Sequence, residues 1–314
     1  MNPMRDRSLS RRSVAGGLGA AALAAPFFAF EEAKAQGALL ARRIPHGNGE
    51  TLPVIGLGTA VVFNVGAKPE ERAGPTAVVR ALVDGGATLV DTAPSYGQAE
   101  TVVGDILTAT NLRQRVFVST KLEEYRPGGE AAEARAALQQ LQTNKVDLLQ
   151  LHNVNKANQD MAGVNALKAQ GLCRYTGIST TSERAYEAVE AVVRRAKPDF
   201  LEVDYAIDNR KAEERLLPAA LDSGTAVLVA LPFGRGRLFR TALGKKLPEF
   251  ASEFDCTSWA QFFLKFVLGH PAITAAIPGT KQADHMVDNL GAGRGRLPDA
   301  KQRARMIQYL ESLN

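Results

Sequence analysis

Four ionisable side chains stand at or just past the ends of short apolar runs. Asp91 closes Leu89-Val90-Asp91-Thr92, with Tyr96 a few residues on, Lys121 closes Val118-Ser119-Thr120-Lys121, and His152 closes Leu148-Leu149-Gln150-Leu151-His152. Taken singly, each has an ordinary explanation. An aspartate after a strand is often a turn former or helix cap. A lone lysine at a strand end usually reaches solvent, and a lone histidine beside an apolar strand is more often structural than catalytic. Together they make a chemistry. A lysine buried at such a place needs a carboxylate partner, and Asp91 supplies one. An ammonium beside a phenol favours the phenolate and lowers the tyrosine pKa from about 10. Tyr96 then becomes a usable proton donor when hydride addition leaves negative charge on a carbonyl oxygen. His152 would hydrogen-bond the same oxygen and fix its orientation.

These side chains converge only if the runs before them are neighbouring parallel strands. Strands are expected at residues 54–58, 88–92, 116–121, 146–152, 175–179, 201–205, 226–231 and 274–277. Helical patterns at 76–84, 100–107, 130–141, 161–170, 183–195, 213–221, 257–268, 282–290 and 298–313 separate or follow them. Such alternation predicts βα units and a parallel sheet. The run Ala226-Val227-Leu228-Val229-Ala230-Leu231 is apolar throughout, as a sheet covered on both faces requires. An open doubly wound sheet would carry a glycine-rich phosphate turn after its first strand. Here the chain after Gly58 reads Thr59-Ala60-Val61-Val62-Phe63 instead. Eight strands without that turn point to a closed (β/α)₈ barrel, whose active site lies at the carboxyl ends of the strands.

The sequence resembles the aldo-keto reductase family from about residue 42 to about residue 295. Asp91-Thr92-Ala93-Pro94-Ser95-Tyr96-Gly97, followed by Glu100 and Gly104, is similar to the family's DTA…YG…E…G signature. Ser119-Thr120-Lys121 resembles its S-T-K, and Asp147-Leu148-Leu149-Gln150-Leu151-His152 its fourth-strand motif. The resemblance implies a (β/α)₈ barrel with an N-terminal β-hairpin and a C-terminal helix. It also implies a tetrad of Tyr96, Lys121, Asp91 and His152, with the tyrosine as general acid, acting on a small carbonyl substrate with NADP(H).

Cofactor contacts follow from the same resemblance. Gly177-Ile178-Ser179 matches the segment that holds the nicotinamide carboxamide, and Thr180 and Glu202 stand where the family usually has Asn and Gln. Phe233, Gly234, Arg235, Gly236 and Leu238 match the pyrophosphate loop, where glycines permit close approach and arginines meet phosphate charge. Gly279, Thr280 and Lys281, then His285, Asp288 and Asn289, match the segment for the 2′-phosphate and adenine, and a cation at 281 favours NADPH over NADH. The bland alternative is that Lys281 merely opens a surface helix. The aromatic that often stacks on the nicotinamide is replaced near Ala230, with Phe233 as a candidate substitute.

Composition sets the frame. Of 314 residues, 45% are hydrophobic and 23% charged, ordinary for a globular chain. Residues 1–35 hold Arg5, Arg7, Arg11, Arg12 and Lys34 against Asp6, Glu31 and Glu32, so of the formal +5 about +3 belongs to the rest. The remaining bases are interleaved with acids, which argues against nucleic-acid binding. No metal-ligand spacing involves Cys173, Cys256 or the four histidines, so no metal is expected, and two buried free thiols are favoured over a bridge. Arg5 to Arg12, the apolar Val14 to Phe30 and Ala33-Lys34-Ala35 read as a signal peptide, with paired arginines of the twin-arginine type. The alternatives are an ordinary secretory signal or a retained anchor, but Pro26 and the glycines disfavour an anchor. A cleaved leader leaves residues 36–314 as a single barrel domain, exported to the periplasm, monomeric, with no stable membrane insertion.

Two other functions fit parts of the sequence. An exported NADP(H)-binding sensor needs the cofactor segments but not all four tetrad residues. A Schiff-base enzyme needs Lys121 free to reach a carbonyl rather than clamped by Asp91. The reductase reading generates a prediction at Glu202. Ionised near the ring, it would stabilise the oxidised cofactor and lower its reduction potential; paired elsewhere or protonated, it would not. Glu202→Gln is expected to raise the potential of bound cofactor, and an unchanged potential would contradict the expectation.

Overall fold

Short apolar strands with helical runs between them can bury both faces only by closing on themselves or being sandwiched, and this chain closes. The computed structural model describes residues 37–123 and 129–313, so the expected leader lies outside the described residues. β1 (Ala41–Arg43) and β2 (Thr51–Pro53) pair antiparallel, Arg42 opposite Leu52. There follow β3 (Leu57–Gly58), α1 (Pro69–Asp84), β4 (Leu89–Asp91), α2 (Ala99–Thr110), β5 (Phe117–Leu122) and α3 (Glu130–Gln140). Next come β6 (Val146–Leu151), α4 (Ala162–Ala169), β7 (Cys173–Thr180), α5 (Tyr186–Ala196), β8 (Phe200–Asp204) and α6 (Leu216–Ser223). The last part holds β9 (Ala226–Ala230), α7 (Arg237–Thr241), α8 (Trp259–Leu268), β10 (Ile273–Ala276), α9 (Ala283–Gly291) and α10 (Ala300–Glu311).

Strands β3 to β10 are parallel and adjacent in chain order. Bridges Ile55–Ala276 and Gly58–Gly279 join the two edges, with Gly56 N–H donating to Ala276 O (2.8 Å) and Ala276 N–H to Val54 O (2.9 Å). This is the expected (β/α)₈ barrel with its hairpin and C-terminal helix. The first strand was expected over 54–58; its early residues spend their hydrogen bonds on the seam rather than on β4.

Helix α1 begins at Pro69, well before the expected residue 76, and runs through Pro75. Pro69 at the first position has a preset φ and no N–H to leave unpaired. Pro75 forgoes one backbone bond, and Thr76 Oγ1 donates to Arg72 O (2.8 Å) beside it.

Two apolar layers result. One lies between strands and helices; the other fills the barrel's lower interior with Leu89, Phe117, Leu148, Tyr175, Phe200 and Leu228, beneath which sit Ile44 and Leu52 of the hairpin region. Tyr175 and Phe200 meet edge-on at 5.5 Å between ring centres, so the lower half of the barrel is packed hydrocarbon. Arg42 fastens the hairpin, donating to Leu268 O (2.6 Å) and His270 O (3.1 Å). Above the apolar plug, the inward positions turn polar.

The seam depends on a missing side chain. A Cβ at Gly58 would lie 2.7 Å from the Ile277 carbonyl oxygen, inside any real contact distance. Gly58→Ala is expected to cost about 1–3 kcal/mol, as overpacking does, and to lower Tm by several degrees in a domain of this size. Calorimetry that found no change in Tm would contradict a tightly closed seam.

Candidate active site

Alternation along each strand decides which side chains enter the barrel. On β5 these are Phe117, then Ser119 and Lys121, with Glu123 continuing the pattern beyond the strand; on β6 they are Leu148, Gln150 and, past its end, His152. Lys121 has no exposure to solvent. Its Nζ donates to Asp91 Oδ2 (2.6 Å) and Thr92 O (3.0 Å), and Glu202 Oε2 from β8 lies 3.3 Å away. Ser119 Oγ donates to Asp91 Oδ1 (2.8 Å), while Gln150 Nε2 reaches Ser119 Oγ (3.1 Å) and Glu202 Oε2 (2.7 Å). Two carboxylates and one ammonium thus form one buried network, and Glu202 is paired within it, the condition under which it leaves the cofactor potential unchanged. Gln150 Oε1 is buried without a hydrogen-bond partner among the described residues.

Tyr96 ends the short turn Pro94–Tyr96 after β4, its N–H donating to Ala93 O (3.1 Å). Gly97 follows at φ +67°, and a Cβ there would strike Asn64, which accepts the Gln98 N–H at 3.1 Å. Glycine therefore lets the β3–α1 loop lock the tyrosine's backbone. Lys121 Nζ lies 5.2 Å from the Tyr96 ring centre, and the His152 ring stands edge-on to the phenol at 6.1 Å. The four expected residues do meet at the carboxyl ends of β4, β5 and β6.

Their electrostatics differ in one respect from expectation. Burial raises the Tyr96 pKa; Lys121 pulls it down, but Asp91 and Glu202 push it up again, and the net direction is upward. Two carboxylates surround the ammonium where one was expected. Burial and Glu202 likewise raise Asp91 against the opposing pull of Lys121 and Ser119. Burial alone would lower Lys121, yet Asp91 and Glu202 outweigh it and raise it. A protonated, fully clamped lysine is no nucleophile, which removes the Schiff-base reading.

Sequence reasoning missed Glu123. Both its carboxylate oxygens lie 2.8 Å from His152 Nδ1, and Oε1 also accepts the Ser95 N–H (3.1 Å). Burial works against its ionisation, but the bonds from His152 and Ser95 hold its pKa down at about 2. The available signal was the alternation Ser119, Lys121, Glu123, which points all three the same way.

The expected cofactor residues ring the same end. Ser179 and Thr180 are buried at the end of β7, with Ser179 beside Glu202 in the β7–β8 register. Phe233 packs on Phe239 (4.8 Å), Leu238 is buried, and Gly234, Arg235 and Gly236 all have positive φ. Arg235 and Arg237 line a cleft of about 340 Å³ with Glu183, Asp204 and Asp208, and Arg237 Nε donates to Asp208 (2.6 Å). Gly279, Lys281 and His285 are exposed, while Thr280 and Asn289 are buried. Asp288 accepts from Ser258 Oγ and Gln261 Nε2, both at 2.7 Å, and so ties α9 to α8. A larger cleft of about 560 Å³ lies at the opposite end, beside the hairpin and Arg113, away from the tetrad. Both cysteines are free and buried, and burial pushes each thiol up to about 12. Among the described residues no three His, Cys, Asp or Glu side chains gather as a metal site, and no helix is long and apolar enough to cross a membrane.

Comparison with known proteins shows the family and the fold. The model of the aldo/keto reductase family matches residues 54–308. Methylglyoxal reductase YeaE of Escherichia coli (strain K12) is 30% identical over 247 residues, spanning 76% of this chain and 84% of that protein. An aldo/keto reductase from Klebsiella pneumoniae, crystallised with NADP and acetate, superposes with TM-score 0.70 at 25% identity, over 84% of this chain and 93% of its own. A K. pneumoniae aldo-keto reductase in complex with NADPH has the same fold, with TM-score 0.71 at 24% identity over 87% and 96%.

Removing the cation tests the network. Lys121→Met leaves two carboxylates buried without a counter-charge, a change expected to cost about 3–5 kcal/mol. With the opposing pull of Lys121 gone, burial holds the Asp91 carboxyl still further above its unfolded range, so the variant keeps more of its stability at low pH and loses it as pH rises. Urea unfolding at pH 5 and pH 8 checks this; equal stabilities at the two would contradict it.

Proposed function

Since the chain belongs to the aldo/keto reductase family, we propose that it reduces the carbonyl of a small aldehyde, ketone or keto-sugar with NADPH, Tyr96 acting as general acid. The observation that carries this is the phenol held against a fully buried, carboxylate-clamped Lys121 at the open end of the barrel. NADPH supplies the hydride when bound. The residues present suit it. Arg235 and Arg237 offer charge to a pyrophosphate from a loop whose positive-φ glycines leave the backbone approachable. Lys281, exposed just before α9, offers charge to a 2′-phosphate.

Tyr96 keeps its proton at neutral pH because burial and two carboxylates oppose the phenolate. That is the state a proton donor requires. An alkoxide is far more basic than a phenolate, so transfer to it is still favourable. Lys121 limits the cost of the phenolate left behind, and Asp91 with Glu202 keeps Lys121 charged.

The carbonyl reductase named among the relatives and the NADP and NADPH complexes among similar structures support the reading. We also read residues 1–35 as a twin-arginine-type leader. It takes the folded, cofactor-loaded monomer to the periplasm, and the small carbonyl compound is its partner there.

The form purified after natural export is expected to retain NADP(H), seen by absorbance and mass analysis. Lys281→Ala is expected to weaken NADPH binding about tenfold or more, the scale of one charge-assisted bond, and to leave NADH binding unchanged. Absence of bound nucleotide together with failure to bind added NADPH would contradict the proposal.

A further inference from the structure

His152 has two ring nitrogens, and the structure commits one of them. Both carboxylate oxygens of Glu123 lie 2.8 Å from Nδ1. An ionised carboxylate only accepts hydrogen bonds, and Glu123 stays ionised across the neutral range. The proton must therefore sit on Nδ1. In a neutral imidazole the other nitrogen, Nε2, then carries a lone pair. Among the described residues Nε2 has no hydrogen-bond partner, while Tyr96 stands edge-on beside the ring. The expected role of His152, donating to the carbonyl oxygen, needs a proton on Nε2 that this tautomer lacks. A lone pair next to a phenol donor reads a different substrate pattern: a carbonyl oxygen for Tyr96 and a neighbouring hydroxyl for His152.

We propose that Glu123 is a positioning residue that fixes His152 as an acceptor at Nε2 and thereby selects carbonyl substrates bearing a hydroxyl on the adjacent carbon. The local architecture supports the arrangement. The Glu123 carboxylate accepts the Ser95 N–H, which ties it to the turn that carries Tyr96, and the Glu123 backbone N–H donates to the Glu133 carboxylate at the start of α3. His152 N–H donates to Leu122 O (2.9 Å), which places the ring on the same rim. The other charged groups near the pair are Glu133 and Glu100 on the helix side and Lys121 with Asp91 and Glu202 below Tyr96; β7 brings Ser179, a neutral hydroxyl. This inference rests on the carbonyl-reductase reading but adds to it a substrate class and a residue.

Two measurements test it, and one needs no turnover. In the cofactor-free protein labelled with ¹⁵N-histidine, long-range ¹H–¹⁵N spectra at pH 8 are expected to show His152 protonated at Nδ1 and bare at Nε2. Glu123→Leu is expected to abolish that fixed tautomer, and Glu123→Gln, which keeps an accepting oxygen, to retain it. A wild-type His152 protonated at Nε2 would overturn the proposal. The second measurement compares kcat/KM for hydroxyacetone and for butanone, ketones of equal size that differ in one hydroxyl. Hydroxyacetone is intrinsically the more reactive, so the change in their ratio between variants is what decides. Glu123→Leu is expected to reduce the preference for hydroxyacetone about tenfold, with NADPH affinity by fluorescence unchanged, and Glu123→Gln to preserve most of it. The scale is that of one hydrogen bond. A ratio unmoved by Glu123→Leu would overturn the proposal. Bound NADPH with no turnover of any carbonyl would instead overturn the reductase reading, and the spectra would still decide the tautomer.

Discussion

Lys121 places a full positive charge inside a barrel whose lower half is packed hydrocarbon, with no contact to water. An isolated ammonium there would cost several kcal/mol of lost hydration. The strands around it are arranged to meet that cost. Asp91 comes from the neighbouring strand at 2.6 Å and Glu202 from across the interior at 3.3 Å, while Ser119 donates to the second Asp91 oxygen and Gln150 to the Glu202 oxygen that faces the lysine. The network needs the apolar floor and its hairpin plug beneath it to exclude water, and the closed seam at Gly58 to keep β8 facing β5.

The order from floor to rim is therefore a gradient of polarity with a purpose at each level. The floor supplies stability, the middle supplies fixed charge, and the rim carries Tyr96 and His152, the groups proposed to meet substrate. Burial and the surrounding carboxylates keep the proton on Tyr96, and Lys121 pulls the other way, the balance on which its proposed role as general acid rests. His152 is held through Nδ1 by Glu123, the contact from which we infer its tautomer. Neither property belongs to the residue alone.

Much of this was legible from the chain. Strand runs ending in Asp91, Lys121 and His152 located the site because a parallel barrel gathers its strand ends, and their alternation with helical patterns gave the fold. What escaped was contact between residues distant in the barrel. Glu202 was read as a cofactor neighbour, and nothing in β8 announces that its carboxylate meets a lysine three strands away. That hidden carboxylate is also why Tyr96 shifts upward rather than down. Glu123 stands just past the strand end but keeps the inward alternation of Ser119 and Lys121. The family resemblance places Asp288 in a cofactor segment, and its side chain is bonded to Ser258 and Gln261, a helix–helix contact that resemblance does not show.

The proposed function stands on direct hydride transfer to a carbonyl carbon beside Tyr96. Its most direct test is to supply NADPH deuterated at the transferring C4 position with a hydroxy-ketone and analyse the alcohol by mass spectrometry and NMR. The account predicts one deuterium on the new carbinol carbon, and none when Tyr96→Phe replaces the wild type. Oxidation of NADPH without deuterium on the product, or bound NADPH that reduces no carbonyl, would contradict it.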